Sequence, residues 1–551
     1  MPVTLGDCTN LIDRDVDRRT PTTHATTTVS LCVRSSLATA ATPTRDARIA
    51  NVVRSMLAKR NLITAALVTT LAFVSLMFSW AVSSPPGSDP DGSFHYAMVW
   101  CLRDSPKSGC ISPNSAVRDP RQVEIAMSGQ CYRDELYRSA KCGSGERRLT
   151  VEIDENAYPR PFYFVMNKLA ISGISTGALL MRLFNGVLAA FFIVSAILLS
   201  ERRLRSSFIL ATLVTLGPLH LALLPSMHAQ SWLLSALSPS WVFALLVLDR
   251  NRTKRIRLIS LSFWLFGLCV AGGSRLEGVP LYVLISAAAL MSARHRLFKV
   301  GGFSSAQIAL VGGGGLLLAQ FFESPISVRR WISGPLIPDP LAEGLGAWNW
   351  FSSWLLSFPS VLFELYGTQG FAMEMRPPLP LVSTLGVVLL VGVFALELLR
   401  IRLTQVALLG LWLSTALAMI LFFTRPGLDL YEVDGRYVSM ITPAFVGLFL
   451  NAGSGAMFVL RIRHLRRCLI WTLLPIGILS HYFFLSRYVT GVQHGLVLMR
   501  LGADEWWWPN SPLDPNGVLL FGAGAYFLFV FGMLTIARLE EAQDETREAR
   551  E

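Results

Sequence analysis

Charge is scarce in this sequence. Only 16% of its 551 residues are Asp, Glu, Lys or Arg, whereas soluble domains carry about 25%. The apolar residues make up 52% of the chain. They gather in nearly uncharged runs of roughly 18 to 24 residues, long enough to cross a bilayer, and do not recur at amphipathic spacing. This excludes a soluble globular protein and predicts an all-α polytopic membrane protein.

Other signatures are missing as well. No internal repeat of fixed period occurs, which argues against a repeat array. The glycine run 312–315 is not a phosphate loop, because no strand precedes it and no Gly-Lys-Ser/Thr follows it. The net charge of +12 does not indicate a nucleic-acid partner, because the basic residues fall in short clusters between apolar runs, where they set membrane topology.

The apolar runs predict about twelve transmembrane helices. Arginine clusters fall on alternate connections, and the positive-inside rule assigns all of them to the cytoplasm, together with both termini. The chain is therefore expected in the plasma (inner) membrane. The 206–248 pair is the weakest part of this count, because prolines interrupt it. The predicted spans are 61–82, 176–199, 206–224, 229–248, 257–273, 277–292, 303–322, 380–399, 403–423, 437–460, 468–486 and 516–537.

The rest of the chain divides into tails and outer loops. Residues 1–55 are polar and lack periodicity, which predicts a disordered cytoplasmic tail; Met56, just before the first apolar run, is an alternative start. The transmembrane domain is expected over 56–537, followed by a charged cytoplasmic tail, 538–551. The large extracytoplasmic loops are 83–160, which is the longest, and 323–379, which is rich in tryptophan.

Cysteines indicate the compartment. Four of the eight, Cys101, Cys110, Cys131 and Cys142, lie in the first outer loop, which predicts two disulfides in an oxidising space. Of the three pairings, Cys101–Cys110 with Cys131–Cys142 is the most local. A zinc site is the alternative, but the spacings are not Cys-x2–4-Cys and His95 is the one histidine nearby.

Two carboxylates follow the first span in a run of prolines and glycines. Asp89 and Asp91 can serve as a general base toward a sugar hydroxyl or hold a divalent cation, the one cofactor left open. A solvated turn is the structural alternative. His95 follows Asp91 by four residues, on the same side of a helical turn, and is either a ligand-binding group or a hydrogen-bonded surface histidine.

Further polar groups are expected on the outer side. Arg436 and Tyr437 open the tenth span, where a guanidinium can grip a phosphate at headgroup depth or extend to lipid phosphate. Arg275 and Glu277 share a short hairpin and either pair with each other or bind a ligand. Together with His95, these residues and Arg160 are the candidate substrate-binding groups. Arg182 and His228 are additional outer polar residues.

Three motifs together resemble the predicted membrane protein family called domain of unknown function 2142. They are Pro-Pro-x3-Pro-Asp-x3-His at 85–95, a proline-rich aromatic return to the membrane at 159–163, and Gly-Arg-Tyr at 435–437. The resemblance covers residues 60–500 in order and spacing. The chain departs from the family at Gly92, where the family usually has Glu.

The resemblance implies a GT-C-like fold and the activity of a bacterial polyprenyl-phosphate-sugar-dependent glycosyltransferase. Such an enzyme takes a sugar from a lipid-linked donor, inverts the anomeric centre and transfers the sugar to a cell-envelope glycan or glycolipid acceptor. The resemblance further implies that Asp91, with Asp89 beside it, is the base and that Arg436 and Arg275 bind the donor phosphate. A transporter or flippase is the alternative, although the spans lack charge near their midplanes. A non-catalytic scaffold is a third.

Overall fold

The computed structural model describes most of the predicted transmembrane domain, 56–537, and parts of the loop 83–160, which is predicted to be the first outer loop and is called so below. The chain divides into two compact units, residues 1–60 and 61–551. The described residues are 45–89, 91–102, 105–107, 110–111, 121–128, 139–143, 146–153, 159–171, 173–293, 379–398, 401–423, 436–453, 455–491, 506–508 and 511–548.

Helices dominate the described residues. The first half contains α1 (Arg45–Val82), α2 (Gly92–Trp100), α3 (Arg160–Leu169), α4 (Gly173–Leu199), α5 (Arg202–Thr215), α6 (Pro218–Leu223), α7 (Gln230–Leu248), α8 (Lys254–Gly272) and α9 (Gly278–Ser292). The second half contains α10 (Leu379–Leu398), α11 (Leu403–Phe423), α12 (Arg436–Ser439), α13 (Thr442–Ala452), α14 (Gly455–Arg461), α15 (Arg463–Thr490) and α16 (Pro515–Glu548).

Six of the described helices are long and apolar enough to cross a membrane: Arg60–Val82 within α1, then α4, α7, α8, α15, and Pro515–Leu539 within α16. Four shorter apolar helices accompany them: Gly278–Ser292, Thr384–Glu397, Leu403–Met419 and Thr442–Ala452. Apolar helices suit a bilayer because they satisfy their own backbone hydrogen bonds. The predicted all-α polytopic membrane architecture is confirmed.

Two predicted spans are not continuous helices. The run 206–224 is divided between α5 and α6, because Pro218 lacks the N–H that would continue the first helix. The run 437–460 comprises α12, α13 and α14. The predicted span 303–322 and the tryptophan-rich loop 323–379 lie outside the described residues.

The first outer loop contains a small sheet, which the prediction of helices joined by irregular loops did not include. Strands β1 (Cys110–Ile111), β2 (Arg121–Ser128) and β3 (Glu146–Ile153) form an antiparallel sheet in the order β1-β2-β3. The sequence Val-Glu-Ile occurs in β2 and again in β3, the alternation expected of a half-buried strand. The apolar members Val123, Ile125 and Ile153 are buried, and the sheet packs against α2.

One predicted disulfide is present. Cys101, just after α2, is bonded to Cys110 in β1, with 5.4 Å between their Cα atoms. The bond ties the end of α2 to the sheet and confirms the more local half of the predicted pairing. The second predicted pair lies outside the described residues, because Cys131 and the side chain of Cys142 are not described.

Candidate active site at the end of the first span

Arg182 of α4 holds the chain where it leaves α1. Its Nη1 donates to the carbonyls of Ala81, at 2.9 Å, and Ser84, at 2.8 Å, and its Nη2 donates to the carbonyl of Pro85 at 3.0 Å. The last carbonyls of a helix have no partner within the helix. A buried guanidinium therefore satisfies the end of α1 and fixes the direction of the loop that follows.

Asp89 is the counter-ion of Arg182. Both of its carboxylate oxygens lie 3.2 Å from Arg182 Nη2, and Oδ2 also accepts the backbone N–H of Met227 at 3.2 Å. Each side chain of the pair is only 1% exposed. Asp89 thus joins the loop to α4 and to the turn before α7. It has the surroundings of a framework ion pair.

Asp91 has the opposite surroundings. Its side chain is 54% exposed, and Oδ2 accepts Nη2 of Arg436 at 3.0 Å. Among the described residues no donor lies on Oδ1. The backbone of Asp91 is left-handed, with φ at 51°, a conformation that Asp and Asn tolerate better than most residues. The carboxylate is therefore anchored through Oδ2, while more than half of the side chain is exposed.

Gly92, the departure from the family pattern, is explained by the turn. A Cβ at this position would lie 2.6 Å from the carbonyl oxygen of Gly87. The loop folds back closely enough that a glutamate cannot be accommodated without moving backbone. The site therefore contains one exposed carboxylate where the family usually carries two in succession.

Two arginines lie close to the ring of Tyr437, its chain neighbour Arg436 and the distant Arg275. The guanidinium carbon of Arg275 lies 5.3 Å from the ring centroid and that of Arg436 lies 5.1 Å from it, both within cation–π range. Arg436 Nη2 also donates to the Tyr437 hydroxyl at 3.2 Å. Arg275 pairs with Glu277, one of the two roles predicted for this hairpin. Both arginines are buried, so their positions are fixed.

His95 is fully buried, unlike the surface histidine considered from sequence. Its Nδ1 lies 2.8 Å from the Tyr163 hydroxyl, and its ring centroid lies 4.3 Å from that of His228. Burial lowers the pKa of His95 to about 3, an effect that Asp91 opposes and the two nearby arginines reinforce. Burial, followed by the electrostatic effects of His95 and the arginines, lowers the pKa of His228 well below its usual range. Both imidazoles are neutral at physiological pH.

Asp91, His95 and His228 form the group of possible metal ligands in the described part of the chain. Each offers one ligand atom, and these atoms lie within 4.8 Å of one another. Carboxylate and imidazole groups bind zinc and other transition metals. By distance alone the cluster suits either a cation or a set of hydrogen bonds.

The structure brings together most, but not all, of the predicted site residues. Arg160 is exposed at the start of α3, and no contact with the Asp91 cluster is described for its side chain. Arg182 and His228 were predicted only as additional outer polar residues, and Tyr163 only as part of the 159–163 motif. An arginine inside an apolar run is a usable signal for Arg182. For His228 no spacing in the sequence provides one.

The profile of the family described as "Predicted membrane protein (DUF2142)" matches residues 73–444, more than half of the chain. No curated protein matches. Among solved structures, the crystal structure of ArnT from Cupriavidus metallidurans bound to undecaprenyl phosphate aligns with 87% of this chain and 75% of its own, at 12% identity and a TM-score of 0.36. The matched family range contains the whole cluster from Asp91 to Arg436. The family resemblance seen in the sequence is thus confirmed, and the chain belongs to the DUF2142 family of predicted membrane proteins.

Proposed function

We propose that this protein is a membrane glycosyltransferase that uses a polyprenyl-phosphate-linked sugar and acts on the extracytoplasmic face. The observation that carries this proposal is an exposed carboxylate, Asp91, beside two buried guanidiniums, those of Arg436 and Arg275, at the end of a spanning helix. A base for a hydroxyl and a cationic site for a phosphate therefore lie together at the membrane surface.

The arginines act on the donor. When the bond between the anomeric carbon and the phosphate oxygen breaks, negative charge grows on the departing polyprenyl phosphate. Guanidiniums fixed in advance stabilise that charge more in the transition state than in the ground state, and they need no reorganisation. The ring of Tyr437 lies within cation–π distance of both arginines and helps to keep them in place.

Asp91 acts on the acceptor. Arg436 holds Oδ2, so Oδ1 is the oxygen that takes the proton from the acceptor hydroxyl. The hydroxyl oxygen then attacks the anomeric carbon from the face opposite the phosphate and inverts the configuration. General base catalysis of this kind contributes about 100- to 10,000-fold in rate. The acceptor is expected to be a cell-envelope glycan or glycolipid.

The test is complementation in the native host. The gene is deleted and restored as wild type, as Asp91→Asn, or as Glu152→Gln, a matched control that neutralises another exposed carboxylate of the same outer loop. Asparagine tolerates the left-handed backbone at position 91, so Asp91→Asn should express normally. Lipid-linked sugars and surface glycans are then measured by mass spectrometry.

We expect wild type and Glu152→Gln to restore the missing sugar. Asp91→Asn should leave it missing while the lipid-linked donor accumulates on the outer side. Full restoration by Asp91→Asn would exclude it as the base. A donor retained in the inner leaflet of the deletion strain would instead identify a flippase.

A further inference from the structure

The protonation of His228 Nε2 determines whether the cluster of Asp91, His95 and His228 can bind a metal ion. Its Nε2 lies 4.0 Å from Asp91 Oδ2, the same oxygen that Arg436 holds. If Nε2 carries a lone pair, His228 can bind a metal or accept a proton. If it carries a hydrogen, His228 is a donor toward the carboxylate and can do neither. The other ring nitrogen distinguishes these cases.

Nδ1 of His228 is an acceptor. The backbone N–H of Gln230, at the start of α7, donates to it at 3.0 Å. A neutral imidazole has one lone pair and one N–H on its two nitrogens. Because Nδ1 uses its lone pair on Gln230, the hydrogen must be on Nε2, the nitrogen that faces Asp91.

The surrounding turn fixes this ring orientation. The backbone N–H of Met227 donates a hydrogen bond to Asp89 Oδ2, and the backbone N–H of His228 donates one to Ser226 Oγ at 3.3 Å. His228 itself is completely buried. Rotating the ring by half a turn would place a carbon against the N–H of Gln230 and leave that buried donor without its acceptor, which is unfavourable.

The nearby charge also argues against a metal. Arg436 already donates to Asp91 Oδ2, and a divalent ion placed between Asp91 and His228 would lie beside that guanidinium. The two positive charges would repel each other and would compete for the same carboxylate oxygen. A neutral N–H donor, in contrast, is compatible with Arg436 on the same oxygen.

We infer that His228 is a neutral hydrogen-bond donor that positions Asp91, and that the cluster works without a metal ion. This inference rests on the proposed function, and it makes His228 a positioning residue for Asp91, the base. The 4.0 Å separation must shorten by about 1 Å for a hydrogen bond, a change that occurs commonly when substrate fills a site. With Oδ2 held by two donors, Oδ1 is directed toward the acceptor.

Two substitutions distinguish the acceptor role of Nδ1 from the donor role of Nε2 in His228. His228→Asn keeps an acceptor near the position of Nδ1 for Gln230 but removes the donor toward Asp91. His228→Gln keeps an N–H near the position of Nε2 but loses the acceptor. In the complementation assay we expect His228→Asn to reduce glycan restoration about tenfold, and His228→Gln to remain within about threefold of wild type. The opposite order would show that His228 only caps Gln230 and would overturn the inference.

A second measurement does not depend on the activity. Full-length protein with isotopically labelled histidine, reconstituted in lipid, is studied by solid-state nitrogen NMR, with His228→Asn used for assignment. We expect a neutral Nε2–H tautomer that persists from pH 8 to about pH 5.5 and does not change when Zn²⁺ or Mn²⁺ is added. An Nδ1–H tautomer, or a His228 signal that shifts with Zn²⁺ or Mn²⁺, would overturn the inference.

The two measurements also separate this inference from the proposed function. If Asp91→Asn restores the glycan but the Nε2–H tautomer is found, the transferase proposal fails while the hydrogen-bond assignment stands. If Asp91→Asn is inactive and the His228 signal shifts when Zn²⁺ or Mn²⁺ is added, the transferase proposal stands and the metal-free site is refuted.

Discussion

Asp89 and Asp91 are two residues apart and should respond to the same substitution in opposite ways. Asp89→Asn removes the counter-ion of Arg182 in a pair whose side chains are each 1% exposed. Breaking a buried ion pair from one side costs about 3–5 kcal/mol, because the remaining charge is left uncompensated. Asp91→Asn also removes an ion-pair partner, that of Arg436, but solvent screens this pair because the Asp91 side chain is 54% exposed, so the cost should not exceed about 1 kcal/mol.

The assay is thermal unfolding of detergent-purified protein, followed by the loss of monodisperse material on size exclusion. Because the unfolding entropy of a 551-residue chain is about 1.2 kcal/mol/K, Asp89→Asn should lower Tm by about 3–4 °C, and Asp91→Asn by no more than about 1 °C. A double variant, Asp89→Leu with Arg182→Met, removes both charges and should be less destabilised than the two single changes combined.

An Asp89→Asn protein with the same Tm as wild type would refute this reasoning. It would mean that Arg182 does not depend on Asp89, and Asp89 would return as a candidate for the chemistry. A strongly destabilised Asp91→Asn would be equally damaging, because it would show that Asp91 supports the fold.

Two other perturbations test the turn and the buried imidazole. Gly92→Glu introduces the usual family residue at a position where a Cβ would lie 2.6 Å from a carbonyl oxygen. We expect lower expression, a loss of about 1–3 kcal/mol in the free energy of unfolding, and no gain in glycan transfer. Ser93→Glu, one residue along, is the control. His95 has a pKa lowered from 6.5 to about 3 in the folded protein, so the unfolded chain binds its proton more tightly. The stability it contributes is complete above pH 6.5 and declines as pH falls toward 3, so Tm should drop on acidification. His95→Asn should make that decline shallower in scanning fluorimetry, and an unchanged slope would exclude His95 as a source of acid sensitivity.

Local features of the sequence were sufficient for the membrane architecture. Most of the described apolar runs long enough to cross a bilayer form helices, because the backbone in lipid has few other ways to satisfy its hydrogen bonds; the runs 206–224 and 437–460 are the ones divided into shorter helices. The pairing of Cys101 with Cys110 was predictable for a similar reason, since residues so close along the chain have few alternatives. The alternation in Val-Glu-Ile was also available, and it indicates the strands of the outer sheet.

The division of roles within the site was decided by contacts between distant parts of the chain. Arg436 meets Asp91 across a separation of 345 residues, and Arg182 reaches Asp89 from the second span. Sequence placed both carboxylates in one exposed turn, and nothing local distinguishes them. The fold buries Asp89 against Arg182 and leaves Asp91 exposed, because α4 lies beside the end of α1 and supplies that arginine.

The clearest case is His228. Its type and position in the sequence suggest a ligand, a base or a packed histidine equally well. One backbone N–H, from Gln230, occupies one ring nitrogen and thereby fixes what the other can do. By itself, the sequence determined that the chain crosses the membrane repeatedly and where its polar groups emerge, because transfer into lipid depends on local composition. Which of those groups became neighbours, and in which protonation state, depended on the tertiary structure, because hydrogen bonding and burial arise only when distant segments pack together.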